Sequence, residues 1–135
     1  MHEWALAEAV VATVEKIRRD NDGRPVLEVR LRFGELQNVD LEAFRAGLAA
    51  ALAGLSYGPE VFRFLDEPAA FRCRACGREW PLAQFPGIGE QEREAIHFLP
   101  ESAHAYLRCP GCGGPDFVLA AGRGVSIEAV ELAGD

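Results

Sequence analysis

Residues Cys73-Arg74-Ala75-Cys76-Gly77 and Cys109-Pro110-Gly111-Cys112-Gly113 decide how this chain is built. A Cys-x-x-Cys pair lets two sulfurs reach one ion from a tight turn. The glycine behind each pair frees the backbone to donate hydrogen bonds to the thiolates. Two pairs together supply the closed, four-thiolate set of a structural zinc. The same knuckles also hold rubredoxin-type iron, and paired thiols can do redox chemistry. A site with no open coordination position suits structural zinc best. The 32 residues between the pairs (77–108) exceed the usual zinc-ribbon loop and are expected to carry structure of their own. Within them Glu90 to Ile96 reads as a short charged helix or turn that Pro100 ends. A structural zinc contributes on the order of 10 kcal/mol to the folding of such a module.

On both sides of this module the chain has the periodicities of an α/β unit. From about Glu3 to Asp20, Leu6, Val10, Val14 and Ile17 recur at helical spacing until Asn21-Asp22-Gly23 stops them. Val26 to Phe33 alternates, with Leu27, Val29, Leu31 and Phe33 on one face and Glu28, Arg30 and Arg32 on the other, as in a strand with one solvated face. Asp40 is placed to cap a second helix carrying Leu41, Phe44, Leu48, Leu52 and Leu55. Residues 60–66 read as a second strand. After the cysteines, Phe117 and Leu119, then Val125, Ile127 and Ala129, flank a Gly122-Arg123-Gly124 turn, and the alternation slips at Val130, so a bulge or an early strand end is expected there. The predicted fold class is therefore α+β: a small three-stranded sheet with two helices, plus an inserted zinc-ribbon-like domain with four cysteine ligands. The α/β domain takes residues 1–68 and 115–135, and the zinc-binding domain takes 69–114.

Composition narrows the function. Of 135 residues 49% are hydrophobic, ample for a core. Fourteen basic residues against 21 acidic ones leave a net charge of −7 with no basic stripe, which argues against nucleic acid as a partner. No stretch reads as a signal peptide or a membrane span, so a soluble cytoplasmic protein without a membrane partner is expected. In that compartment four cysteines point to metal rather than disulfides. Apart from the histidines there is no nucleophile–base pair, and there is no glycine-rich phosphate loop, so an enzyme is not expected.

The amino terminus supplies a second metal-binding pattern. The Met1 amine, the His2 imidazole and the His2 backbone nitrogen are covalently close enough to wrap one ion in fused chelate rings. Such a tetragonal nitrogen set suits Ni(II) or Cu(II) better than Zn(II). It leaves a position for a ligand from elsewhere. The bland alternative is an ordinary surface histidine on a frayed end. His97 and His104 both lie among apolar residues, where packed, hydrogen-bonded histidines are common. His97 gains interest as a second imidazole donor for nickel.

Met1-His2-Glu3-Trp4-Ala5-Leu6, Gly34-Glu35-Leu36, a helix, two CxxC pairs and Gly122-Arg123 before a last strand together resemble the hydrogenase-maturation nickel-chaperone family HypA over essentially the whole chain. The resemblance implies a nickel-binding α/β domain and a structural zinc domain held by Cys73, Cys76, Cys109 and Cys112. It implies delivery of Ni(II) to the large subunit of [NiFe]-hydrogenase together with a HypB-type nucleotide-hydrolysing partner, and in some members service to urease. By resemblance His2 is the family's nickel ligand, Glu3 stands beside it and Met1 contributes its amine. The longer segment between the cysteine pairs resembles archaeal members, in which a histidine there completes the nickel site; His97 is the matching position. Asp40 stands near a carboxylate implicated in the family, although its ordinary role is an N-cap. Glu3 also suits a helix N-terminus through the dipole. The implied mechanism is exchange: a site on the chain terminus, completed from another module, opens when that module moves. The chain would act as a monomer or weak homodimer. The alternative reading is a zinc-ribbon protein-interaction adaptor without metal transfer, and a rubredoxin-like electron carrier is a third.

Overall fold

A computed structural model describes residues 2–85 and 87–134, except for the side chain of Gln84. The described chain runs α1 (His2–Asp20), β1 (Val26–Gly34), α2 (Leu41–Ala51), β2 (Phe62–Glu67), β3 (Ala70–Cys73), β4 (Glu79–Pro81), α3 (Glu90–Phe98), α4 (Ala103–Tyr106), β5 (Phe117–Ala121) and β6 (Val125–Leu132). Its strands form two three-stranded sheets, ordered β2-β1-β6 and β4-β3-β5. Contacts divide the chain into one unit of Met1–Arg32, Val39–Leu65 and Ser126–Asp135, and another of Phe33–Asn38 and Asp66–Val125.

In the first unit α1 buries Ala7, Val10, Val11 and Val14, so the apolar stripe is centred one residue further round than Leu6 and Ile17 suggest. It packs against α2, which buries Phe44, Gly47 and Leu48. Gly47 permits the close crossing: a Cβ there would lie 3.0 Å from the Trp4 Cα, so a side chain would push the start of α1 back by a few tenths of an ångström. Phe44 meets Phe64 edge-on at 5.6 Å, and the Arg45 guanidinium lies over the Phe64 ring at 4.4 Å. In β1, Val29, Leu31 and Phe33 are buried as the alternation predicts. Leu27 does not follow: it is half exposed and Val26 is buried at the strand's first residue. α2 ends at Ala51 rather than near Leu55, because the chain turns before Gly54, which adopts a left-handed φ of 84°.

The second unit has a core of its own. Phe71, Trp80 and Phe117 pack with ring centroids 5.4 to 5.8 Å apart, surrounded by Leu36, Leu82, Ile96, Leu107, Cys73 and Cys109. Burying each large side chain stabilises by about 1.5–3 kcal/mol, so metal is not the only force holding this unit. The long segment between the cysteine pairs carries β4, α3 and α4, and α3 ends just before Pro100.

The carboxyl-terminal strands depart from the sequence-based expectation. β6 joins β1 and β2 as expected, but β5 pairs with β3 in the other sheet, with Cys73 opposite Phe117. The reason is the aromatic cluster, since Phe117 is fully buried only beside Phe71 and Trp80. Gly122 and Gly124, with φ of 98° and 82°, make the turn between the two strands. Nor does β6 stop early: it runs unbroken through Val130 to Leu132.

Candidate metal centres

The two cysteine knuckles are built alike. The Cys73 amide donates to the Arg78 carbonyl at 2.8 Å, and the Gly77 amide returns to the Cys73 carbonyl at 2.9 Å. In the second knuckle the Cys109 amide donates to Gly114 at 3.0 Å and the Gly113 amide to Cys109 at 2.8 Å. Gly77 and Gly113 reverse the chain with φ of 80° and 73°, where a side chain would be strained. β3 pairs with β5, which follows the second knuckle, and so brings the turns together. All four sulfurs lie within 4.8 Å of one another. The pairs Cys73–Cys112 and Cys76–Cys109 are 3.6 and 3.5 Å apart. Zinc–sulfur bonds of about 2.3 Å put tetrahedral sulfurs about 3.8 Å apart, so four thiolates around one ion fit this spacing.

Amides aimed at the sulfurs complete the environment. Cys76 N–H points at Cys73 Sγ at 3.5 Å; Gly111 and Cys112 N–H point at Cys109 Sγ at 3.3 and 3.5 Å. The Cys112 amide, helped by that of Gly111, holds the Cys109 thiol down to about 6. Despite a lowering contact from the Gly114 amide, the neighbouring Cys73 sulfur and burial push Cys112 up to about 11. Cys76 is raised as well: the Arg78 amide lowers it, but Cys109 and burial outweigh that contact. Binding a divalent ion therefore releases protons from this cluster. Cys73 and Cys109 are buried and Cys76 and Cys112 exposed.

Of the amino-terminal donors, Met1 lies outside the described residues. His2 is exposed at the first position of α1. In the first helical turn backbone N–H groups have no intrahelical partner, so helix formation leaves the His2 nitrogen available. The positive end of the helix dipole opposes a cation there, and the Glu3 carboxylate offsets it. Glu3 Oε2 accepts the Asp40 amide at 3.1 Å, which holds the Glu3 carboxyl below its usual range. Asp40 is thereby beside Glu3. Its own Oδ1 caps α2, accepting from the Glu42 and Ala43 amides at 3.1 and 3.2 Å.

His97 and His104 belong to the other unit. His97 Nδ1 lies 2.7 Å from the Arg93 carbonyl, and Nε2 is 3.4 Å from Glu35 Oε2. Glu35 was no candidate from the sequence, because nothing local links a turn after β1 to a helix some sixty residues on. His104 stacks on Phe117 at 4.3 Å but is exposed, unlike the packed, hydrogen-bonded histidine expected among apolar residues. The two sequence motifs Gly34-Glu35-Leu36 and Gly122-Arg123 meet. The amides of Gly34 and Leu36 donate to the carbonyls of Gly124 and Gly122, each at 2.8 Å, and a Cβ on Gly34 would overlap the Gly122 carbonyl.

A family model described as "Hydrogenase/urease nickel incorporation, metallochaperone, hypA" matches residues 1–132. Among similar chains, the hydrogenase maturation factor HypA of Thermococcus sibiricus is 40% identical over 136 residues, covering 100% of this chain and 99% of the relative. That of Pyrococcus horikoshii is 42% identical over 134 residues, covering 98% and 96%. Two solved structures share the fold. The solution structure of the Ni metallochaperone HypA from Helicobacter pylori has a TM-score of 0.61 at 14% identity, covering 98% of each chain. A second, titled a solution structure of HypA protein, has a TM-score of 0.65 at 16% identity, covering 98% of this chain and 97% of that one.

Proposed function

The chain belongs to the HypA family, and from that membership we propose that it is a nickel metallochaperone of hydrogenase maturation that binds Ni(II) at its amino terminus. The donors in this reading are the Met1 amine, the His2 imidazole and backbone nitrogen, and Glu3, with His97 contributing a further imidazole. Asp40 serves first as the cap of α2 and only secondarily as a carboxylate for nickel. The observation that supports it most is the pinned start of α1: Trp4 seats on Gly47 and Glu3 accepts the Asp40 amide, so His2 begins a fixed turn. Preorganised donors lose less freedom on binding. The Cys73, Cys76, Cys109 and Cys112 cluster holds a structural Zn(II), for which its spacing and four-sulfur chemistry speak.

The function is capture and transfer, with no reaction catalysed. It would take place in the cytoplasm, with a HypB-type nucleotide-hydrolysing protein and the hydrogenase large subunit as partners. Adding one residue before Met1 tests the amine, because it converts that donor to an amide. Isothermal titration should show nickel affinity falling at least about tenfold in the extended chain, with zinc content unchanged; equal affinity would remove Met1 from the donor set.

A further inference from the structure

Two donor atoms in the second unit face each other, and each is held in place by a different bond. His97 Nδ1 is 2.7 Å from the Arg93 carbonyl, which can only accept, so Nδ1 carries the hydrogen and Nε2 presents its lone pair in the neutral ring. On the other side Glu35 Oε1 accepts the Ala69 amide at 2.8 Å, which fixes the carboxylate and turns Oε2 toward His97. Neither residue is loosely mounted. The Arg93 guanidinium ties α3 to the carbonyls of Leu82 and Phe85 at 2.8 and 3.0 Å, and Ile96 is fully buried. Glu35 sits in the strap that Gly34 and Leu36 bond to Gly124 and Gly122.

Two acceptors only 3.4 Å apart are reconciled by a cation between or beside them. A proton on Nε2 would serve, and so would a metal. Donors about 2.1 Å from one ion stand about 3.0–3.4 Å apart for angles of about 90–110°, which is the separation found here. One imidazole nitrogen and one carboxylate oxygen suit a borderline divalent ion. The two side chains are about a quarter to a third exposed, and His97 lines an open pocket with Gln37, Asn38, Phe98 and Arg123, so an ion can arrive and leave.

We propose that Glu35 is a nickel ligand, acting with His97 as one Oε2/Nε2 donor pair. This rests on the nickel reading above and adds to it a carboxylate that the sequence reading does not name as a ligand. The bland alternative is an ion pair that only fastens α3 to the turn after β1.

Glu35→Gln separates the two. The amide can keep its oxygen on the Ala69 amide while its nitrogen donates to His97 Nε2, so the fastening survives and the donor pair does not. Nickel titration calorimetry and nickel-edge X-ray absorption would be run on the untagged native chain, Glu35→Gln, His97→Ala, the double variant and His2→Ala, with thermal melts alongside. Glu35→Gln and His97→Ala should each lose about tenfold in nickel affinity, with their double variant no worse than either one. Glu35→Asp, which keeps the charge but shortens its reach, should also weaken nickel and covers the case of a poorly folded glutamine variant. Native nickel affinity and an unchanged absorption edge in Glu35→Gln, with His2→Ala still losing nickel, would overturn the role of Glu35 alone. Fully additive losses in the double variant would overturn the pair. Native binding in every variant, His2→Ala included, would overturn the chaperone reading as well.

Discussion

At the scale of single residues, side chains far apart in sequence fix the parts that matter. Glu15 on α1 is one. It accepts from Arg18 Nε and Nη2 at 3.1 and 3.0 Å and from the Tyr57 hydroxyl at 2.7 Å. Arg18 first, then Tyr57, holds its carboxyl below the ordinary value of 4.5, while burial and the bond to Glu15 push the Tyr57 hydroxyl upward. A carboxyl lowered in the folded state stabilises fully above its unfolded value, and that stability is lost as pH falls through the folded value. Glu15→Gln should therefore cost about 1–2 kcal/mol near neutral pH and progressively less on acidification below about 4.5. Denaturant unfolding at stepped pH would check this; a constant difference between the two proteins down to about pH 3 would contradict it. Little of this is legible beforehand. The four cysteines announce themselves by spacing, whereas Glu15 and Tyr57, or Glu35 and His97, become partners only after long stretches of chain have folded back.

At the scale of elements, α1, β1, α2 and α3 follow from periodicity because each has one face that must be buried whatever its neighbours are. Where neighbours decide, the reading fails. The stripe on α1 shifts toward Ala7 and Val11 because small residues on that face allow close packing, and hydrophobicity alone underweights alanine. Phe117 to Ala121 reads as a strand, but its partner is chosen by the aromatic cluster, so it joins the cysteine-bearing sheet. The short β4 and α4 have too few residues for a period to show. Asp40 is the element-scale case with a direct consequence. Asp40→Ala should destabilise by about 1 kcal/mol through loss of the α2 cap, and Asp40→Asn should cost almost nothing because asparagine caps equally well. Nickel affinity should drop only slightly in Asp40→Asn. A large drop with the melting temperature intact would make Asp40 a principal ligand rather than mainly a cap.

At the scale of the whole molecule there are two units: one holds His2, Glu3 and Asp40, and the other the four-cysteine cluster with Glu35 and His97. The boundary differs from the one drawn by sequence. Phe33–Asn38, 66–68 and 115–125 group with the cysteines, because β5 pairs with β3 and Gly34-Glu35-Leu36 bonds to the Gly122–Gly124 turn. Among the described residues no helix is long and apolar enough to cross a membrane. The central claim is that the metal of the cysteine cluster and the metal at His2 are separate ions with separate roles. Metal analysis and a nickel titration of the untagged chain beside His2→Ala test it most directly. One tightly held zinc in both proteins, and one nickel bound by the native chain and lost in the variant, is the expected result. Zinc in both with no nickel that depends on His2 would contradict the chaperone assignment and leave a zinc-stabilised interaction module.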